Sequence, residues 1–224
     1  MGKTRELLEE LRLVLSGRGG VIDAILPPVV FLLLNATLGF DIAMWGALIL
    51  AVLLGVLRLT RRQSLVYAFG GVVGVLFAIL VSRLLNRAEG FFLPNILLGG
   101  ATVLLCLVSV LVGRPLVAWT SYLARRWPLD WYWHARVRPA YSEVTLAWAF
   151  FFAFRLFVQL GFFQQGAADA LAWVNLLTGW PATLALLIAS YLYGSWRLGQ
   201  LEGPSVEEYR QGAQPPWQGQ RRGF

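Results

Sequence analysis

The sequence predicts an all-α polytopic membrane protein: a bundle of six transmembrane helices preceded by an amphipathic surface helix. Three observations predict it. Of 224 residues, 58% are hydrophobic and only 14% are charged, where a soluble domain is about 45–50% apolar and about 25% charged. The mean hydropathy is +0.63. Six apolar stretches approach or reach the roughly 17–25 residues that a helix needs to cross a bilayer. A water-soluble core of this size has no room for so much apolar side chain, and 10 Trp with 14 Phe exclude a disordered chain.

Residues 1–20 form the first element. Within 4–16, Leu7, Leu8, Leu11, Val14 and Leu15 recur at helical spacing on one face. This predicts a helix lying on the inner membrane surface, ended by Gly17, Gly19 and Gly20. No apolar stretch in these charged residues reads as a secretory leader.

The transmembrane domain is assigned to 21–198, with spans at about 24–40, 42–57, 65–83, 91–112, 144–165 and 171–194. The first two are short and meet at Gly39-Phe40-Asp41, which reads as a helical hairpin. Gly70, Gly71 and Gly74 in the third span, and Gly99-Gly100 in the fourth, permit close helix approach. In the loop before the fourth span, Phe91 and Phe92 are expected to dip into the bilayer, with Pro94 opening the helix. The longest loop, 114–142, carries Trp119, Trp127, Trp131 and Trp133. Such rings settle at the headgroup level. Residues 199–224, rich in Gly, Pro, Gln and Arg, read as a disordered tail.

Charge orients the bundle. The net charge is +7 and the pI about 10.2. Sixteen of the 19 basic residues fall in the N-terminal segment, the loops after the second and fourth spans, and the tail. Arg83 and Arg87 lie on the opposite side and Arg155 lies inside a span. The positive-inside rule then places both termini in the cytoplasm. The basic residues face anionic lipid heads; no basic run interleaved with aromatics on a polar chain points to nucleic acid.

Arg155 is the sharpest candidate for function. It lies near the middle of the fifth span, where a charge costs between about 3 and about 17 kcal/mol on contested scales. It therefore needs protein or water around it. Gln159 follows one helical turn later, Asn35 is the neutral candidate from the first span, and Asp41 and Asp169 are the candidate carboxylates. Two readings stand: a hydrogen-bonded staple between helices, or a binding site for an anion, a lipid head or a polar solute. The loop 86–95 offers Arg87 and Glu89 as a second candidate pair, either joined to each other or turned to a ligand.

No span carries a central Asp, Glu or His, which argues against a proton pump or a metal transporter. Cys106 sits in Leu104-Leu105-Cys106-Leu107-Val108 as an apolar filler. His134 has no Cys or carboxylate at ligand spacing, and Ser142-Glu143 reads as a helix start. No catalytic signature is present. The expectation is a non-enzymatic protein with no metal and no cofactor.

Several stretches together resemble a bacterial integral-membrane family, domain of unknown function 3159 (DUF3159). They are Gly20-Val-Ile-Asp23 with Leu26-Pro27, Arg58-Leu-Thr-Arg61-Arg62, and Arg87-Ala-Glu-Gly-Phe-Phe-Leu-Pro94. With them go Ser109-Val-Leu-Val-Gly-Arg114-Pro115-Leu116 and Thr145-Leu-Ala-Trp148, followed by Arg155 and Val158-Gln159. The resemblance covers roughly 18–198 and implies a multi-pass protein of the bacterial plasma membrane. More distantly, Leu26-Pro-Pro-Val-Val-Phe31, Arg114-Pro-Leu116 and Leu146-Ala-Trp-Ala-Phe-Phe-Phe152 are similar to the intracellular septation protein A family. That similarity implies envelope or division-related scaffolding and carries over no catalytic residue.

Three functions follow as expectations. The first is a structural or adaptor component of the cell envelope or of a membrane complex, its partners being the lipid bilayer and either a membrane protein or a second copy. The second is a small-solute or ion channel or transporter centred on Arg155. The third is a lipid- or pigment-binding subunit of a larger complex.

Overall fold

The computed structural model describes residues 30, 33–35, 37–60, 65–220 and 223–224, and the described residues form helices and turns without a strand. The predicted surface helix at 4–16 and most of the first span lie outside the described residues. The helices are α1 (Phe40–Thr60), α2 (Leu65–Leu85), α3 (Leu93–Leu111), α4 (Leu116–Arg125) and α5 (Leu129–Tyr132). They continue as α6 (Arg138–Gln164), α7 (Ala168–Thr178), α8 (Trp180–Gln200) and α9 (Val206–Arg210), with a 3₁₀ turn at Ala88–Phe92 before α3.

Four helical segments among the described residues are long and apolar enough to cross a membrane: Phe40–Thr60, Ala88–Leu111, Arg138–Gln164 and Ala168–Gln200. A shorter apolar stretch spans Phe69–Leu85. At about 1.5 Å per residue, 21 residues extend about 30 Å, the thickness of a bilayer's hydrocarbon core. Their outer faces are apolar. On α6, Phe150 and Phe157 are 75% and 77% exposed, an arrangement that water penalises and lipid tails do not. The protein is a membrane protein. The segment predicted as one span at 171–194 is two helices, α7 and α8, parted at Gly179. Pro181, in the first turn of α8, has no N–H to offer a continuous helix.

The chain forms two compact units, one from residues 1–96 and 158–181, the other from 97–157 and 182–224. In the first unit α1 packs on α2. The buried stripe of α1 is Ala43, Ala47, Ala51 and Gly55, with Met44 beside it. Small residues four apart bring backbones close. The expected close-approach glycines Gly70, Gly71 and Gly74 are instead exposed. The 3₁₀ turn packs against both α2 and α7. It buries Phe92, whose ring meets Phe91 edge-on at 5.4 Å. Phe92 thus turns into the protein rather than into lipid.

The second unit corrects two expectations. The 114–142 segment is a folded helical region rather than a loop, and 199–224 is not a disordered tail. Trp131, Tyr132, Val137, Tyr141, Leu198 and Val206 form a buried cluster, with Trp127, Tyr209 and Phe224 packed around it. The Trp131 indole N–H donates to the Pro204 carbonyl at 2.8 Å. A capping box starts α9: Glu208 N–H donates to Ser205 Oγ, and Ser205 N–H donates to the Glu208 carboxylate at 2.8 Å. Gln220 Oε1 accepts from Val206 N–H at 3.0 Å. Composition alone reads as disorder here because the residues that Val206 and Tyr209 pack with, Trp131 to Tyr141 among them, lie far earlier in the chain.

Two ionisable groups make this packing acid-sensitive. Backbone N–H groups of Gln218 and Ser205 hold the Glu208 carboxyl below its ordinary value of 4.5. Burial, then the Arg136 charge, lowers His134 from its ordinary 6.5, and its ring packs edge-on against Trp217 at 5.3 Å. Both pKa values are depressed on folding, so both contributions are complete above the ordinary value and fade as pH falls through the lowered one. Protection of 205–218 from proteolysis should therefore loosen in two acid steps, the first below pH 6.5 and the second below 4.5. His134→Phe should remove the first and Glu208→Gln the second; one unsplit transition in all three proteins would contradict this.

Candidate functional site

Among the described residues, several polar side chains of the first unit's apolar helices are paired within the chain. Asn35 donates from its amide to Asp169 at the start of α7. Arg83 meets Asp41 at 2.7 Å between α2 and α1, at an exposed position. Gln159 of α6, 1% exposed, donates to the Asn175 side-chain oxygen on α7 at 3.0 Å. Asn175 in turn donates to the Leu171 carbonyl at 2.8 Å. The residues grouped from sequence around Arg155 thus take separate partners: Asn35, Asp41 and Gln159 each have their own. Arg155 belongs to the second unit and is half-buried on α6. Asn175 was missed from sequence. The available signal was a lone amide in the apolar run Trp173-Val174-Asn175-Leu176-Leu177.

The second candidate pair is formed. Arg87 Nε lies 3.5 Å from Glu89 Oε2, and the Glu89 side chain is only 10% exposed. Arg87 also lies over the Phe163 ring at 5.7 Å. The Glu89 carboxyl lies beside Gly166, in the turn between α6 and α7. The pair therefore closes one end of the first unit; the loop is held rather than presented.

In the second unit the polar residues serve the junctions between helices. Ser109 Oγ accepts from Leu116 N–H at 3.0 Å and donates to the Cys106 carbonyl at 2.7 Å. One hydroxyl thereby completes the start of α4 and the end of α3. Thr145 Oγ accepts from Val117 N–H and donates to Tyr141. The Trp148 indole donates to Ser190 Oγ at 2.9 Å. Glu143, read from sequence as a helix start, accepts from Arg197 Nε and Nη2, one to each carboxylate oxygen at 2.8 Å, and from the Tyr193 hydroxyl at 2.7 Å. These contacts clasp α6 to α8. Among the described residues no three His, Cys, Asp or Glu side chains gather as metal ligands.

Outside the long apolar helices lies the most developed surface. Four guanidiniums sit over aromatic rings: Arg114 over Trp133 at 5.4 Å, Arg125 over Trp127 at 5.0 Å, Arg126 over Tyr122 at 5.9 Å and Arg136 over Trp217 at 5.7 Å. Each stacked pair is worth about 0.5–1 kcal/mol at an exposed site. The stacking also fixes where the charges stand. Arg114, Arg126 and Arg136 are exposed, so the platform presents a positive rim over an aromatic base. Burial raises the Tyr132 phenol beneath it and keeps it neutral.

The family described as "Protein of unknown function (DUF3159)" matches residues 15–195. The chain belongs to this family. No curated protein and no solved structure matches it. The match takes in the polar residues just described, from Arg87 and Glu89 through Ser109, Thr145 and Gln159 to Asn175 and Tyr193.

Gln159 and Asn175 give a direct test of the staple reading. Gln159→Leu leaves the Asn175 oxygen without its donor and should destabilise the protein by about 1–2 kcal/mol. Gln159→Leu with Asn175→Leu should cost less than the two single losses added together, the coupling lying near 0.6 and below about 1.7 kcal/mol. Unfolding in bicelles measures it. Additive losses would show that the two amides do not act as a pair.

Proposed function

We propose that the protein is a non-enzymatic adaptor of the bacterial plasma membrane. Its six-span bundle anchors a platform, built from 114–142 and 199–224, that holds a membrane-protein partner or a second copy of the chain. One observation carries this reading: the region outside the long apolar helices is a built surface, with a fully buried aromatic core and arginines fixed on rings around it. Arginine and aromatic rings are the residue types that dominate binding energy in protein interfaces. The basic residues also favour the cytoplasmic side for this platform, and the same side for both termini. The more distant resemblance to the intracellular septation protein A family supports the same class of role.

A small-solute or ion path around Arg155 is the competing reading. Its support is the cost of a charge in the middle of α6. The pairing of Asn35, Asp41 and Gln159 with separate partners favours the adaptor.

Gentle purification from native membranes and native mass spectrometry should yield the chain with a stoichiometric protein partner or as a homo-oligomer. Arg114→Glu with Arg126→Glu should release that association and leave the fold intact, and raised salt should weaken it. An assembly unchanged by the double reversal would contradict the proposal. A lone chain that conducts solute in liposomes, and stops when Arg155→Leu is introduced, would establish the competing reading.

A further inference from the structure

Gly223 and Phe224 occupy a slot in the second unit whose walls specify what enters. The Phe224 ring stacks on Tyr141 with centroids 4.4 Å apart and planes 9° from parallel. It lies directly on Gly194 of α8, where any Cβ would overlap it. Arg125 Nε donates to the Phe224 carbonyl at 3.1 Å, and the same guanidinium is held over Trp127. The preceding residue is specified as well. Gly223 has φ +80°, and a Cβ there would stand 2.8 Å from both Arg125 Nη1 and Trp127 Cη2. Left-handed backbone and lack of space both demand glycine.

The slot therefore imposes three independent conditions: a flat ring between a phenol and a glycine, a backbone oxygen at a positioned guanidinium, and a glycine just before the ring. The rest of the segment has its own anchors, Pro204 on Trp131 and Gln220 on Val206. These two hydrogen bonds make no use of Gly223 or Phe224.

We propose that this slot is a recognition site for a Gly–aromatic peptide element, filled in cis by Gly223–Phe224, and that a partner's Gly–aromatic element enters by displacing them. The inference gives the adaptor a ligand class, and it rests on that reading for the existence of a partner. An element tethered in the same chain acts at an effective concentration on the order of millimolar. The intact protein is thus self-covered, and a competing partner must either bind more tightly or arrive when Phe224 is withdrawn.

The test uses the full chain in nanodiscs and a fluorescent decapeptide of residues 215–224, read by anisotropy. Phe224→Ala should bind the decapeptide about tenfold or more tightly than the intact chain does. A decapeptide ending in alanine should bind neither. Gly194→Val added to Phe224→Ala fills the vacated space and should abolish binding. Equal binding by the intact and Phe224→Ala chains, or indifference to Gly194→Val, would overturn the proposal. A photoreactive benzoylphenylalanine at position 224 of the otherwise native chain reports the slot without opening it. Crosslinks to Tyr141 or Gly194 of the same chain are expected; crosslinks to lipid or a neighbouring chain alone would overturn cis occupancy. Failure of all these with a rim-dependent partner still present would reject the slot and leave the adaptor reading standing.

Discussion

In the hydrocarbon of a membrane no water completes a hydrogen bond, so each polar group there must find its partner within protein. That constraint organises this chain. Ser109 and Thr145 supply hydroxyls to backbone N–H groups at the start of α4, where a helix would otherwise begin with bare donors. Trp148 meets Ser190, Glu143 meets Arg197, Gln159 meets Asn175 and Asn35 meets Asp169. Each of these contacts joins two different helical segments, and each fixes the register of one against the other. Apolar faces alone would slide, since lipid tails are as apolar as leucine.

Where the chain leaves the long apolar helices, a different force takes over. Trp131, Tyr132 and Tyr141 are fully buried among one another, their rings meeting edge-on. Burying large rings from water is favourable in proportion to area. The 199–224 segment supplies the cover, through Val206, Tyr209 and Phe224. The indole N–H of Trp131 finds the Pro204 carbonyl, so the largest buried side chain has its one polar atom satisfied. This matters for the proposed adaptor role. Residues that composition alone would leave as loop and tail become a rigid mount for arginines, and a rigid mount lowers the entropy lost when a partner binds.

The membrane class and the family were legible in the sequence because they rest on composition, span length and local motifs. Arg87 and Glu89 were legible as a pair because they are two residues apart. The partners of Gln159 and Asn35 were not, since pairing across helices depends on rotation about each axis, which hydropathy does not encode. The break at Gly179 was blurred because apolar residues continue on both sides of it, from Leu171 to Val174 and from Leu184 to Leu187. The fold of 199–224 was missed for another reason: its glycines and prolines serve close approaches and turns. Gly203, for example, packs directly on the Arg136 backbone. Glycine and proline look the same in a linker as in a tightly packed strap.

The central claim is that 114–142 and 199–224 are one folded body on which the proposed adaptor surface stands. Hydrogen exchange of the protein in nanodiscs addresses it most directly. Amides in 129–142 and 206–220 should be protected to a common level and open together, because they share the Trp131 core. Trp131→Ala should expose both at once. Rapid exchange across 206–220 beside a protected 129–142 would contradict the account.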